Sequence, residues 1–356
     1  MNCRERYIAT THYGERDRLY HIEMGPYEET LKRWKTEGLP EDSDWVYYGG
    51  YDRLEKVPVH VGLCPAFEHE TLEEDDDYVI YHDGDGVIKK QFKDVPPPAM
   101  PQYLEYPLKS REQWQDFRRR LNPDSQCRFP VHWESIKKEH KNRDYPLGIS
   151  CGSLYGWLRN WMGVEDISTT VYDDPAFLEM AATEIADCIL AVLDRALDGV
   201  EYDFADFWED MAYKTASLIS PQHYRKLFLP QYRRITDRLH KAGIDILMLD
   251  SDGNVEELIP CWLDIGINYI YPMEVAADMD VVRLRKKFGK ELRIGGGMDK
   301  RILAGDKASI KKMVEEKIPL MLEGGYVPGC DHAMPPDIPW ENYLYYRELL
   351  LNIRIQ

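Results

Sequence analysis

The C-terminal half of the chain alternates short apolar runs with longer helical patterns, and this alternation constrains the fold more than any other feature. Four apolar runs predict buried strands at 243–249, 267–272, 291–296 and 325–329. Helical patterns lie between and after them, at 255–265, 280–288, 308–323 and from Trp340 onward. A strand–helix repeat of this kind indicates a parallel sheet with crossover helices.

Further upstream, the runs 146–150 and 202–207 fit two more strands, and 19–24 and 45–48 supply the remaining two. Eight strands in this order predict an α/β fold of the (β/α)8 TIM-barrel type. A chain of 356 residues has an ordinary length for one such barrel with insertions. We therefore expect a single domain over 1–356.

The segment 55–135 interrupts the alternation, and we predict that it is an insertion between the second and third strands that caps the barrel. Residues 78–92 fit a β-hairpin, because the Asp-Gly pairs at its tip favour a tight turn. The acidic run 73–77 is expected to be a solvated loop, since like charges seldom cluster away from water. The proline-rich stretch 95–98 is expected to be a rigid connector.

The formal net charge of −18 argues against partners that are themselves anionic. Such a field repels nucleic acid and anionic membranes, and it disfavours a polyanionic substrate unless the site supplies arginines. No run approaches the roughly 18 apolar residues of a membrane span, and the charged N-terminus lacks the apolar segment of a signal peptide. We therefore expect a cytoplasmic protein.

Several common site signatures are missing from the sequence. The seven cysteines are odd in number, scattered and without a CxxC pair, which predicts neither a disulfide framework nor a structural zinc site. No GxGxxG fingerprint follows a strand, and neither GxSxG nor HExxH occurs. Dinucleotide binding, serine hydrolysis and zincin chemistry are therefore disfavoured.

The active site of a parallel barrel lies at the C-terminal ends of its strands, and acidic residues follow nearly every predicted strand in this chain. The polar residues at these positions are Glu209, Asp210, Asp250, Asp252, Glu274, Asp299, Lys300, Asp331 and His332, with Asp52 after the predicted second strand. If the carboxylates converge, a metal, a basic side chain or a cationic substrate must balance them, or some must have raised pKa values. The alternative is that single carboxylates only cap helices, as Asp252 would at the start of the next helix.

Asp250 and Asp252 lie two residues apart just past a strand, so their side chains are expected to point to the same side. They could bind a divalent metal together with His332, or they could form an acid/base pair. Glu274 is the fourth candidate catalytic residue. The alternative for His332 is a structural role, which is common for a histidine beside a proline-rich loop.

Trp157 and Trp161 follow the third predicted strand four residues apart, on one face of a helix. They could wall a pocket for a flat ligand, or they could only pack the helix against the barrel. The residues expected to line the substrate pocket are Trp157, Trp161, Glu209, Asp210, Asp299 and Lys300.

Four motifs resemble the uroporphyrinogen decarboxylase superfamily and occur in its order along nearly the whole chain. They are RERYIA at 4–9, LISP at 218–221, GGMDK at 296–300 and HAMPPDIPWEN at 332–342. The resemblance implies a (β/α)8 barrel, which agrees with the strand count.

One branch of that superfamily decarboxylates uroporphyrinogen III to coproporphyrinogen III without a cofactor, and it grips the substrate carboxylates with an arginine-rich segment after the first strand. The corresponding region of this chain, 21–27, contains no arginine. His332 matches a histidine of this branch, and Asp52 is a loose candidate for its key aspartate. The missing arginines and the acidic strand ends disfavour an octacarboxylate substrate.

The other branch comprises methyltransferases that work with corrinoid proteins. It carries a zinc site built from His-x-Cys-Gly after the fifth strand and a cysteine near the end of the eighth. The matching positions here are Asp250, Asp252 and His332, so harder ligands replace the thiolates. Such a set suits zinc, manganese or magnesium, or no metal at all.

The resemblance implies three functions, in this order. The first is a divergent corrinoid-linked methyltransferase for a small or aromatic methyl donor, with a corrinoid protein as partner. Its metal-binding or acid/base residues would be Asp250, Asp252, Glu274 and His332. The second is uroporphyrinogen decarboxylation without a cofactor, for which arginines would have to reach the pocket from 111–120. The third is a non-catalytic barrel that binds a small ligand, and a homodimer is compatible with all three.

Overall fold

The computed structural model describes residues 1–95 and 99–355. Within them the strands are β1 (Glu55–Lys56), β2 (Glu70–Glu74), β3 (Tyr78–His82), β4 (Ile88–Phe92), β5 (Gln102–Glu105), β6 (Leu147–Gly152), β7 (Phe204–Trp208), β8 (Leu247–Asp250), β9 (Tyr269–Tyr271), β10 (Arg293–Met298) and β11 (Tyr326–Cys330). The helices are α1 (Cys3–Thr11), α2 (Glu28–Glu37), α3 (Trp45–Gly49), α4 (Arg111–Phe117), α5 (Trp133–Glu139), α6 (Tyr155–Met162), α7 (Val164–Asp173), α8 (Pro175–Ala196), α9 (Pro221–Leu227), α10 (Leu229–Lys241), α11 (Ile259–Leu263), α12 (Val281–Phe288), α13 (Lys300–Leu303), α14 (Lys307–Glu323) and α15 (Trp340–Leu351).

Seven strands form one parallel sheet in the order β1-β6-β7-β8-β9-β10-β11. Neighbours in the sheet follow each other along the chain, because each helical crossover returns the chain to the growing edge of the sheet. The strands β7, β8 and β11 are buried nearly throughout, as expected for a parallel sheet that is covered on both faces. Parallel strands end at the same edge, so the loops after them gather on one side.

The helices cover the outside of this sheet. The longest, α8, begins at Pro175, where the Asp174 side chain accepts the amide of Phe177 and so caps the helix. Its apolar residues recur at helical spacing and are buried against α10 and β6. No helix in the described part of the chain is long and apolar enough to span a membrane.

The six strands predicted from residue 146 onward are confirmed, each within a few residues of its expected position. The prediction of a strand at 45–48 was wrong, because these residues belong to α3. The Asp44 carboxylate accepts the amide of Val46 at 3.0 Å and caps this helix. The edge position beside β6 is taken by β1, in which Glu55 pairs with Leu147. The insertion expected from about residue 55 to 135 thus corresponds to the residues between β1 and β6.

The predicted first strand, 19–24, forms no regular strand within the described residues, because side-chain carboxylates take the place of backbone pairing. The Asp52 carboxylate accepts the amide of His21 at 3.0 Å, and the Glu23 carboxylate accepts the amide of Cys330 at 2.8 Å. Residues 22–24 still line a central cavity together with β1 and β7 to β11, so the sheet curls around a common interior. The closed eight-stranded barrel stays a prediction.

A second, antiparallel sheet follows β1 in the order β2-β3-β4-β5. The hairpin expected at 78–92 is present as β3 and β4, with Tyr78 opposite Phe92. The acidic run is exposed as expected, but Glu73 and Glu74 belong to β2 and not to a loop. Of the expected rigid connector, residues 96–98 lie outside the described residues. That this sheet caps the barrel stays a prediction.

The sequence predicts no disulfide framework, but Cys64 and Cys127 form one disulfide bond, with their Cα atoms 6.2 Å apart. The two cysteines lie 63 residues apart in the sequence, and only the packing of two distant segments brings them together. Their spacing therefore gave no sign of the pairing.

Candidate active site

Four of the predicted catalytic and pocket residues lie in the loops after β8 to β11 and form two ion pairs. His332 pairs with Asp252, and Lys300 pairs with Glu274. The two pairs are linked, because the amide of Gly253 donates to Glu274 Oε2 at 2.9 Å. The structure therefore brings Asp252, Glu274, Lys300 and His332 into one cluster at the strand ends.

His332 lies between a carboxylate and a phenol. Its Nε2 is 3.3 Å from Asp252 Oδ2, and its Nδ1 is 3.2 Å from the hydroxyl of Tyr27, whose ring is stacked on the imidazole. The hydrogen bond with Asp252 raises the pKa of His332 above its ordinary value. Both positions of the imidazole proton have a partner, so this group is suited to acid/base work near neutral pH.

Lys300 is shared by two carboxylates. Its Nζ lies 3.2 Å from Glu274 Oε1 and 3.8 Å from Asp331 Oδ1. The buried Asp331 also accepts the amides of Lys300 and Val275, each at 3.0 Å, and so ties together the loops after β9 and β10. Burial works against the charge of Lys300, but the two carboxylates prevail and raise its pKa.

Asp250 is the last residue of β8, on the same face as Met248, which lines the central cavity. In the sheet it lies between Trp208 of β7 and Tyr271 of β9. Burial, together with neighbouring carboxylates of which Asp252 contributes most, raises the pKa of Asp250 to about 8. Asp250 is therefore mostly protonated at pH 7 and can donate a proton.

A polar network inside the central cavity was missed in the sequence. Asp206 of β7 accepts a hydrogen bond from the Tyr271 hydroxyl at 2.8 Å and pairs with Lys56 Nζ at 2.6 Å. The cavity has a volume of about 170 Å³. The available signal was an acid within an apolar strand, because such a residue must face a polar partner inside the fold. Lys56 was missed because it was assigned to the insertion.

Glu209 and Asp210 follow β7 but have different environments. Glu209 is fully buried, and its carboxylate accepts the amides of Leu154 and Gly156 at 3.1 and 2.8 Å. Burial raises its pKa to about 7. Contrary to expectation, Glu209 thus holds the start of α6 and does not face the pocket. Asp210 is partly exposed and pairs with Arg159 at 3.1 Å.

Asp299 also departs from its expected place in the pocket. It caps α13 by accepting the amide of Arg301 at 2.9 Å, and its carboxylate pairs with the Arg301 guanidinium at 2.7 Å. Although the side chain is largely buried, this pairing lowers the pKa of Asp299. Asp299 is therefore a capping residue, which is the alternative that the sequence left open for single carboxylates.

Trp157 and Trp161 stack on each other with ring centroids 5.8 Å apart. Trp161 is almost fully buried, whereas Trp157 is partly exposed. Both border a groove that residues 59–63 and 83–85 complete. The tryptophans therefore combine the two expected roles, since they pack α6 and also wall a groove.

Asp52 lies away from the strand ends. It precedes β1, and its fully buried carboxylate is bound by Arg6 at 2.7 Å and by Arg18 at 2.8 Å. The expected position after a strand depended on the strand at 45–48, which is helical. Asp52 is therefore part of a buried ion-pair network and not a candidate catalytic residue.

The described residues contain no group of three or more His, Cys, Asp or Glu side chains that could hold a metal ion. Asp252 and His332 pair with each other, and Asp250 does not complete a ligand set with them. These residues therefore do not fit a metal centre as they stand. Metal binding at Asp250, Asp252 and His332 stays a prediction.

Two curated proteins to which this chain is similar have low sequence identity with it. The uroporphyrinogen decarboxylase of Nostoc punctiforme is 24% identical over 188 residues, which are 51% of this chain and 49% of that protein. The chain thus matches about half the length of this curated relative. The uroporphyrinogen decarboxylase of Gloeobacter violaceus is 21% identical over 320 residues, which are 86% of this chain and 87% of that protein.

A solved structure described as a methyltransferase from Methanosarcina mazei has the same fold. It superposes with a TM-score of 0.57 at 15% sequence identity and covers 98% of both chains. The sequence profile of the family described as "Uroporphyrinogen decarboxylase (URO-D)" matches residues 94–350, which is more than half of the chain. The chain belongs to the uroporphyrinogen decarboxylase (URO-D) family.

Proposed function

We propose that this protein is a methyltransferase that takes a methyl group from a small neutral or cationic donor. The main support for this proposal is that the cations at the site are already paired with carboxylates of the protein. Lys56, Arg159 and Lys300 each lie within 3.2 Å of a carboxylate of the protein itself. None of these three is left free to bind the carboxylates of a substrate, and the surplus of acids would repel a polyanion.

The size and lining of the central cavity support a small donor. Its volume is about 170 Å³, and an apolar cavity of roughly 150 Å³ binds a molecule of the size of benzene. The walls include Phe204, Met248 and Tyr269, which can bury an aryl or alkyl group. A tetrapyrrole with eight carboxylates would be too large and would lack counter-charges.

Methyl transfer breaks the bond between the methyl carbon and a heteroatom of the donor, and the bonding electron pair stays on the heteroatom. The methyl carbon forms its new bond with an electron pair of the acceptor. A neutral donor such as an ether must then gain a proton as it leaves. Asp250, with its pKa raised to about 8, can supply that proton at pH 7. His332 is the second proton donor of the cluster.

The acceptor in this proposal is a corrinoid carried by a partner protein, so it is a substrate of the reaction. A large acceptor has to reach the donor from outside the barrel. The cluster at the strand ends is open to such an approach, because the side chains of Asp252 and His332 remain 35% and 25% exposed. The partner protein itself stays a prediction.

The test is to identify the product of the purified protein. Free cob(I)alamin and small methyl ethers, such as 4-methoxybenzyl alcohol, are supplied, and methylcobalamin formation is followed by its absorbance. Asp250→Asn is compared with Asp42→Asn, which alters an exposed acid outside the site. We expect methyl transfer by the wild type and by the Asp42 variant, and a strong loss in the Asp250 variant. The absence of methyl transfer with every donor and acceptor would contradict the proposal.

Uroporphyrinogen decarboxylation is the second candidate, because the curated relatives carry that name, including one matched over 86% of this chain. The same preparation is therefore incubated with uroporphyrinogen III, and its products are separated by chromatography. Coproporphyrinogen without methyl transfer would favour this candidate. A ligand-binding barrel without catalysis, the third candidate, predicts neither product.

A further inference from the structure

The groove beside Trp157 is a recess separate from the central cavity, and the proposed reaction does not use it. It is bordered by the segment 59–63 after β1, by the hairpin tip at 83–85, and by the tryptophans of α6. The hairpin tip is held in shape by Asp83, whose carboxylate accepts the amides of Asp85 and Val87 at 3.0 and 2.9 Å. The antiparallel sheet thus contributes one wall of the groove.

The groove lies next to the central cavity. Ser150 of β6 lines the groove, and it is the register partner of Asp206 of β7, which lines the cavity. Paired residues on neighbouring strands lie about 5 Å apart. The linings of the groove and the cavity therefore adjoin at the pair of strands β6 and β7.

Trp157 supplies an aromatic wall because two glycines make room for its ring. A Cβ atom at Gly152 would lie 2.2 Å from the Trp157 ring, and one at Gly62 would lie 3.3 Å from it. The ring is further fixed by stacking on Trp161. A rigid indole of this kind is the preferred aromatic partner of an organic cation.

Asp85 supplies a carboxylate that forms no ion pair among the described residues, although the charge of Lys89 acts on it from a longer distance. Its two oxygens accept long hydrogen bonds from neutral donors, the Trp161 indole at 3.4 Å and the Asn160 amide at 3.5 Å. The neighbouring Lys89 pairs with Asp83, and among residues 1–95 and 99–355 no ion pair involves Asp85. Burial raises the pKa of Asp85, which reflects how poorly its charge is solvated. A cation in the groove would stabilise the ionised carboxylate of Asp85.

We propose that the groove binds the positively charged end of an elongated methyl donor, with Trp157 against the cation and Asp85 as its counter-charge. The methylated end would then lie in the central cavity near Asp250. This inference rests on the proposed function and names the class of its substrate, a small aryl or alkyl methyl ether that carries an ammonium group at the far end. Asp85 is the residue that determines this specificity.

The test compares three probes that differ only in the charge of one end: 4-methoxybenzylamine, 4-methoxybenzyl alcohol and 4-methoxybenzoate. Their binding to the full-length protein is measured by calorimetry at pH 7 without any methyl acceptor. We expect the amine to bind at least about tenfold more tightly than the alcohol, a factor equal to 1.4 kcal/mol, and the benzoate to bind least. Asp85→Asn should remove the preference for the amine. Asp76→Asn, which neutralises an exposed acid of the same sheet, should keep it.

Equal affinities of the wild type for the amine and the alcohol would overturn the inference, and so would an unchanged preference in Asp85→Asn. The comparison of probes on the wild type does not depend on the folding of any variant. Charge-selective binding without methyl transfer would contradict the proposed function but leave the groove as a cation site. Methyl transfer at a rate that does not depend on the charge of the donor would contradict the assignment of the groove as a cation site, but not the proposed function.

Discussion

Replacing Asp250 by asparagine should change how the stability of the protein depends on pH. The pKa of Asp250 is about 8 in the folded protein and 3.8 as the ordinary value. Between these values the folded state binds a proton that the unfolded state releases, so stability falls as pH rises. The loss is about 1.4 kcal/mol per pH unit, or roughly 4 kcal/mol between pH 5 and 8. Asparagine cannot ionise and should not incur this loss.

The assay is urea unfolding, followed by tryptophan fluorescence from pH 5 to 9, for the wild type, Asp250→Asn and the exposed control Asp42→Asn. The difference between the unfolding free energies of the Asp250 variant and the wild type should change by roughly 4 kcal/mol in favour of the variant between pH 5 and 8. The control should run parallel to the wild type. Parallel curves for all three proteins would mean that Asp250 titrates normally, and they would refute the reasoning.

Three other changes test neighbouring parts of the structure. Gly156→Ala would bring a Cβ atom to 2.3 Å from the Glu209 carbonyl oxygen, whereas at Gly84 the nearest atom is 3.9 Å away. Urea unfolding should show a loss of about 2 kcal/mol for the first and little change for Gly84→Ala; equal stabilities would contradict the packing. Asp52→Asn leaves Arg18 without its ion-pair partner and Arg6 with Asp17 alone, so it should lower the free energy of unfolding by about 3 kcal/mol, and an unchanged value would contradict the network. Lys300→Met removes a cation that lowers the pKa of His332, so an NMR titration of the imidazole should show a higher pKa in this variant; an unchanged pKa would exclude this influence.

The parallel strands were predictable because they are buried on both faces and therefore appear as continuous apolar runs. The two-residue β1 is too short to leave such a pattern. The stretch 45–48 is rich in residues that favour strands, but the cap at Asp44 and the packing of α3 decide for a helix. The segment 19–24 failed to form a strand because its pairing groups are the carboxylates of Asp52 and Glu23, which no local pattern reveals.

The strand-end rule predicted that Asp252, Glu274, Lys300 and His332 lie near each other, and the structure places them in one cluster, since the rule depends only on where strands stop. It could not separate them from Glu209, which follows a strand in the same way but accepts backbone amides. That distinction depends on which donors tertiary packing brings within reach. A carboxylate at a strand end can thus serve catalysis or only hold the next helix.

The polar residues inside the cavity could be identified only from the register of the sheet. Asp206 and Lys56 lie 150 residues apart in the sequence, and only the alignment of β1, β6 and β7 brings them together. The same alignment places Ser150, which lines the groove, beside Asp206, which lines the cavity. That Asp85 forms no ion pair likewise could not be predicted from the sequence. Its hydrogen-bond donors, Asn160 and Trp161, lie on the distant helix α6.

The pH dependence of methyl transfer tests the central claim, that Asp250 is a protonated acid in a site for small donors. The measurement is kcat/KM for transfer from 4-methoxybenzyl alcohol to cob(I)alamin between pH 6 and 10. For the wild type we predict a plateau that falls as the pH rises through about 8, the pKa of Asp250. Asp250→Asn should be at least about 100-fold slower at pH 7 and without this fall. Equal rates and pH profiles for the two proteins would contradict the account.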